Sequence, residues 1–141
     1  MKRTDTEGDA CPVAKAVDVV GDWWSFLIVR DAFLGRRRFG EFEKSLGVAK
    51  NILTDRLRKL VDAGVFEQMP ASDGSSYKEY ALTERGRGLL PVLVALGDWG
   101  ASECGAVPVL DRKTGKPARL EFRTADGKRV NPEDVQLAGA E

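Results

Sequence analysis

Between Ala49 and Gly64 two chemistries share one stretch of chain. Leu53, Leu57, Leu60 and Val61 recur at helical spacing and make an apolar face, while Asn51, Asp55, Arg58 and Asp62 fall on the opposite side with Thr54 on the flank. An outward-facing carboxamide both donates and accepts, and a guanidinium donates as a fork. Those are the groups that pair with base edges in a major groove, which is wide enough to admit a helix. Asn51 suits adenine, Thr54 a base or a thymine methyl, Arg58 guanine or a phosphate, and Lys50 a phosphate. Asp55 is expected to orient a neighbouring arginine or to repel the nucleic acid at wrong registers. Further cations stand ready for phosphates: Arg37 and Arg38 ahead of this region, and Arg56 and Lys59 within it. Arg56 lies at the edge of the apolar face, so an internal salt bridge is an equal alternative there.

The charge distribution fits a local anionic partner. The chain of 141 residues is neutral overall, with 22 Lys plus Arg against 22 Asp plus Glu. A globally basic coat is therefore excluded. Residues 36–60 nevertheless hold eight cations and three carboxylates, between two stretches in which acids predominate. Catalysis has little to work with. The absence of histidine removes Ser-His-Asp and Cys-His chemistry and imidazole metal sites, and two cysteines cannot make a four-thiolate zinc site. No metal, cofactor or enzymatic activity is expected. Cys11 is the reactive candidate: it precedes a helix start, whose partial positive charge suits a redox-active sulfur, with an inert packed thiol as the alternative. Cys104 is given no role. No apolar run approaches the length of a membrane span, and the polar first ten residues do not read as a signal peptide, so a cytoplasmic chain is expected.

The elements that must position these residues can be read from caps and periodicity. Pro12 opens a short helix that Gly21 ends, and Asp22 caps a second helix from Trp23 to about Phe33, in which Trp23, Phe26 and Leu27 are expected to be buried. A third helix covers Glu41–Leu46, entered through Phe39 and Gly40 and broken by Gly47. The fourth runs from about Ala49 to Ala63. A short helix, a tight turn and a longer amphipathic helix in series outline a helix-turn-helix. Val65–Met69 and Tyr77–Leu82 then read as a hairpin across a turn-rich Pro70–Ser76, which is a wing carrying Ser75, Ser76 and Lys78 towards flanking phosphates or the minor groove. Thr83 caps a last apolar helix through Leu89, Leu90, Val92, Leu93, Leu96 and Trp99, with a kink expected at Pro91. That helix is too apolar to stand alone and is expected to dimerise. Beyond it, a short strand near Val107–Leu110 and a two-stranded β appendage around Leu120, Phe122 and Val130 are expected. The fold class is α+β, mainly α, with a winged domain over residues 1–104 and an extension over 105–141.

Ordered pieces of this sequence resemble the HxlR family of bacterial winged-helix transcription regulators. They are Cys11-Pro12-Val13, Gly21-Asp22-Trp23-Trp24, Leu27-Ile28-Val29-Arg30-Asp31, Arg37-Arg38-Phe39-Gly40-Glu41-Phe42, Asn51-Ile52-Leu53-Thr54-Asp55-Arg56-Leu57, Glu79-Tyr80-Ala81-Leu82-Thr83-Glu84-Arg85-Gly86-Arg87 and a terminal Asp98-Trp99-Gly100. The resemblance spans residues 11–103 and implies a homodimer on double-stranded operator DNA. It also implies a sensor role for Cys11, because some members use an amino-terminal cysteine against oxidants or electrophiles. Where the family often has serine at the start of the recognition helix, this chain has Ala49, which puts the side-chain cap in question.

Trp23, Trp24, Phe26 and Trp99 read as core and dimer packing, and the effector classes left open are an oxidant at Cys11 or a small apolar molecule between the last and second helices. A winged-helix protein-interaction module is the alternative function. It calls for apolar residues on the outer helix face, where Asn51, Asp55, Arg58 and Lys59 stand instead.

Overall fold

In the computed structural model, which describes residues 11–101 and 108–139, four helices lead into a hairpin. Helix α1 (Pro12–Val20) begins on the proline, and α2 (Trp23–Phe33) begins on Asp22, whose carboxylate accepts from the backbone N–H groups of Trp24 and Ser25 at 3.1 Å each. Helix α3 (Phe39–Leu46) starts where the Glu41 carboxylate reaches back to the N–H groups of Arg37 and Arg38, at 3.1 and 2.9 Å. It ends on Gly47, whose φ of 64° is the left-handed conformation that glycine adopts without steric cost. Helix α4 (Lys50–Asp62) follows after two residues.

Strands β1 (Phe66–Pro70) and β2 (Lys78–Leu82) pair antiparallel from Phe66 opposite Leu82 to Pro70 opposite Lys78. The segment before α3 adds a one-residue third strand: Arg38 bridges Glu79, and the Tyr80 N–H donates to the Arg37 carbonyl at 2.7 Å. The core draws on every helix named so far and on the hairpin. Val20, Ile28, Val29, Phe42, Val48, Leu53, Leu57, Leu60, Val65 and Phe66 are buried together, and Phe66 stands edge-on to both Phe42 and Tyr80. Thr83 closes this unit. Its hydroxyl caps α5 (Glu84–Arg87) through the Gly86 N–H and also donates to the Gly64 carbonyl. Gly86 lies so close to the Val65 carbonyl that an added Cβ would fall 2.2 Å from its oxygen, so no larger residue fits there.

The chain divides into two units, Met1–Leu90 and Pro91–Glu141. The second holds most of α6 (Leu90–Gly100), followed by two small antiparallel hairpins. In one, β3 (Val109–Leu110) pairs with β4 (Pro117–Ala118). In the other, β5 (Phe122–Arg123) pairs with β6 (Arg129–Val130), and a 3-10 turn at Pro132–Asp134 follows.

Three expectations are corrected. Trp23 is 77% exposed and Phe26 and Leu27 are only half-buried, because Ser25, Ile28 and Val29 define the buried side of α2 and a residue two positions before Ser25 points the other way. Pro91 kinks no continuous helix. The chain leaves α5 at Arg87, turns through Gly88 and Leu89, and starts α6 afresh with the proline in its first turn, where a missing N–H costs nothing. The appendage is two hairpins, because the strand at Val109–Leu110 finds its own partner in Pro117–Ala118. Among the described residues no helix is long and apolar enough to cross a membrane.

Candidate nucleic-acid interface

Helix α4 is anchored through its apolar side, with Leu53, Leu57 and Leu60 fully buried and Ile52 and Val61 packed against the same core. Val48, also buried, plugs the turn between α3 and α4. The opposite side is therefore held outward. Lys50, Asn51, Thr54, Arg58 and Lys59 are exposed along it. The Asn51 amide and the Lys50 ammonium have no protein partner among the described residues, so their hydrogen-bonding capacity is open. The Thr54 hydroxyl donates to the Lys50 carbonyl at 2.8 Å. Ala49 occupies the N-cap in extended conformation with no side-chain acceptor to offer, as its residue type requires.

Asp55 gathers three cations. Arg56 lies 2.6 Å away, Arg58 2.7 Å and Lys59 3.3 Å. The hydrogen bond from Lys59, followed by the arginines, holds the Asp55 carboxyl below its ordinary value. Arg56 also reaches Asp22 at 2.9 Å, tying the start of α2 to the middle of α4. Partial burial pushes the Asp22 carboxyl up, but hydrogen bonds from Ser25 and Arg56 outweigh it and leave the group lowered. Of the two alternatives open to Arg56 in the sequence, the internal salt bridge is the one formed here.

Arg37 and Arg38, just ahead of α3, are turned towards the wing. The Arg37 Nε lies 3.3 Å from Glu79, and Arg38 reaches Asp73 at 2.6 Å and Glu79 at 3.7 Å while its guanidinium sits 5.3 Å from the centre of the Tyr77 ring. Glu79 is 4% exposed and accepts from both the N–H and the hydroxyl of Ser72 at 3.0 Å. These Ser72 hydrogen bonds, and then Arg37 and Arg38, lower its carboxyl. Asp73 is lowered further, first by Arg38 and then by the Ser75 N–H that makes its turn. Ser75, Ser76 and Lys78 are left exposed on the wing beyond this clamp.

The α4 surface residues thus come together on one face, while Arg37, Arg38 and Arg56 are engaged within the protein. Asp73 and Glu79 were given no role in the sequence, and Asp22 only that of a helix cap. The available signal was complementary charge, since the cationic segment 36–60 is flanked by the acidic stretches that supply its partners. Cys11 is exposed at the start of α1, and Cys104 falls outside the described residues.

Comparison with known proteins agrees with this geometry. The profile of the HxlR-like helix-turn-helix family matches residues 19–107. An uncharacterized HTH-type transcriptional regulator of Mycobacterium tuberculosis, Rv3095, is 39% identical over 126 residues, covering 89% of this chain and 74% of the relative. Among solved structures, PA1607 superposes with a TM-score of 0.81 at 48% identity over 97% of this chain and 100% of that one. The redox regulator HypR in its reduced form gives 0.60 at 31% identity over 65% and 92% of the two chains. An outward-facing second helix, a wing beside it and these matches lead to one assignment: the chain belongs to the HxlR-like helix-turn-helix family of transcriptional regulators.

Proposed function

We propose that the protein is a homodimeric regulator that reads a pseudo-palindromic operator with α4 of each subunit. One observation carries this reading: the exposed face of α4 presents Lys50, Asn51, Thr54 and Arg58 together while its other face is buried. Asn51 and Arg58 read base edges, Thr54 adds contact through its side chain, and Lys50 meets phosphate. Asp55 holds Arg58 and Lys59 in place. These are surface ion pairs of small net worth, so both cations transfer to DNA at little cost. Arg37 and Lys59 contact the backbone. Arg38 and Arg56 share that role only secondarily, their main work being to fix the wing and α4. Ser75, Ser76 and Lys78 reach the flanking phosphates. The reading and dimerisation parts fall within residues 1–104, with 105–141 as an extension.

A duplex selected from a random-sequence pool by the full chain tests this directly. The selected duplex is expected to bind with steep salt dependence, and Asn51→Ala combined with Arg58→Ala to weaken it by at least tenfold. Selection of no duplex at low salt contradicts the reading and favours a protein-interaction module.

The effector is an oxidant or electrophile that meets Cys11. Its support is the exposed position of Cys11 at the start of α1 and the similarity to HypR, a redox regulator solved in reduced and oxidized forms. Diamide is expected to release wild-type protein from the selected duplex and to leave Cys11→Ser bound; equal release from both defeats this assignment.

A further inference from the structure

The charge of the last forty-one residues sums to zero, but its seven cations all lie between Arg112 and Arg129, where Glu121 and Asp126 are the only carboxylates. This is as strong a local excess as that of residues 36–60. The neighbouring acids are occupied in shaping the hairpins. Asp111 accepts from the Lys113 N–H and the Thr114 hydroxyl at 2.9 Å each, which builds the first tip. Asp126 accepts from the Thr124 hydroxyl in the second. Glu121 pairs with Arg123 at 3.3 Å and Arg129 at 3.6 Å.

Arg112, Lys113, Lys116, Arg119 and Lys128 remain, all exposed and without a carboxylate partner among the described residues. In residues 36–60, by contrast, six of the eight cations have a carboxylate within 4 Å, and Lys44 and Lys50 alone are unpaired among the described residues. The hairpins therefore display more uncompensated positive charge than the recognition helix does. No described residue of this unit is buried, so the hairpins are held by strand pairing and turn hydrogen bonds rather than by a core of their own.

We propose that the two C-terminal hairpins are a second, sequence-independent contact that grips the phosphates of duplex DNA flanking the operator. The inference rests on the operator reading above and extends it beyond α4 and the wing. Charge without shape-specific anchors suits phosphate oxygens, which are uniform along any duplex. Neither tip, Asp111–Lys116 or Thr124–Lys128, carries an aromatic residue on which an unpaired base could stack; the exposed Phe122 lies on β5, outside the tips, so single-stranded RNA is an arm of the test. The exposed apolar residues Leu110 and Phe122 lie on the strands, whereas the tips that carry Arg112, Lys113, Lys116 and Lys128 hold no aromatic or large apolar anchor of the kind a protein interface centres on.

The test uses the full chain and a duplex selected from a random pool, prepared at about 20 base pairs, enough for two half-sites one turn apart, and at about 40 base pairs with neutral flanks. Wild-type protein is expected to bind the longer duplex at least tenfold more tightly. The variant Lys113→Gln, Lys116→Gln, Arg119→Gln, Lys128→Gln is expected to bind both alike, with the slope of log affinity against log salt on the longer duplex flattened by roughly 0.9 for each phosphate that the variant leaves unneutralised. None of the four side chains has a carboxylate partner to give up, so thermal melting should be unchanged, and Lys116→Gln alone should give the same effect at about a quarter of the size. A wild-type slope and length dependence in the variant overturns the inference, as does tighter binding of the wild-type chain to single-stranded RNA of the same length. Selection of no duplex at all refutes the operator reading and this inference together, whereas a selected duplex whose flanks make no difference refutes this inference alone.

Discussion

Ala49 leaves the first turn of α4 without a side-chain acceptor for its unpaired N–H groups, in a backbone conformation (φ −61°, ψ 142°) that serine adopts equally well. Ala49→Ser is therefore expected to stabilise the fold by about 1 kcal/mol, read as a higher urea midpoint at unchanged slope. A midpoint equal to or below that of the parent contradicts this account of the cap. At this scale the sequence was informative wherever one helix decided the outcome. The spacing of Leu53, Leu57 and Leu60 alone turns Asn51 and Arg58 outward, and Asp55 sits one helical turn from Arg58 and Lys59. It was silent wherever the partner is distant in the chain. Arg56 could not be assigned between phosphate and protein because Asp22 lies 34 positions away. Trp23 was placed inside on residue type, whereas its exposure depends on which side of α2 the rest of the fold covers.

At the scale of elements, the wing is fastened to the start of α3 by carboxylates that bind protons less readily folded than unfolded. Glu79 is held low first by the Ser72 hydrogen bonds, and Asp73 first by Arg38. Their contribution is therefore complete above the ordinary carboxylate range, near 4, and is lost as pH falls through their lower folded values, because the unfolded chain then takes up more protons. Melting temperature is expected to drop between pH 5 and about pH 3, and Glu79→Gln, already lower at pH 7, is expected to drop less over the same interval. Parallel declines in both proteins would remove Glu79 from the explanation. The hairpin itself was legible because Asp73, Gly74 and the serines are turn formers between apolar strands. The third strand was not, since it consists of backbone contacts at Arg37–Arg38 that leave no mark in residue type. The break before α6 was half visible: Pro91 announced an interruption, and its lack of an N–H, which suits a first helical turn, fits the new start seen at Leu90.

For the whole molecule, the proposed dimer accounts for apolar surface that a solitary chain leaves in water. Val13 and Val17 on α1 are exposed, as are Val92, Leu96 and Trp99 on α6, the last at 84%, and no residue of α6 is buried. The proposed dimer covers the apolar residues of α6, and burying side chains of this size would stabilise association by about 1.5–3 kcal/mol each before the costs of ordering. Composition and periodicity lead to the expectation that α6 dimerises, because the helix is too apolar to stand alone. They placed strands in the extension but gave it no role, because its charges cancel in sum, and which cations stay uncompensated emerges only when the turns show which acids are occupied. Two copies of α4 carried by a two-fold dimer must meet DNA about 34 Å apart, one turn of the duplex. A hydroxyl-radical footprint of the full chain on its selected duplex measures that spacing directly. Two protected patches centred about 10 base pairs apart on one face of the DNA are expected, both absent with the Asn51→Ala, Arg58→Ala variant. A single patch, or a protected pair that survives the double substitution, would contradict the operator reading.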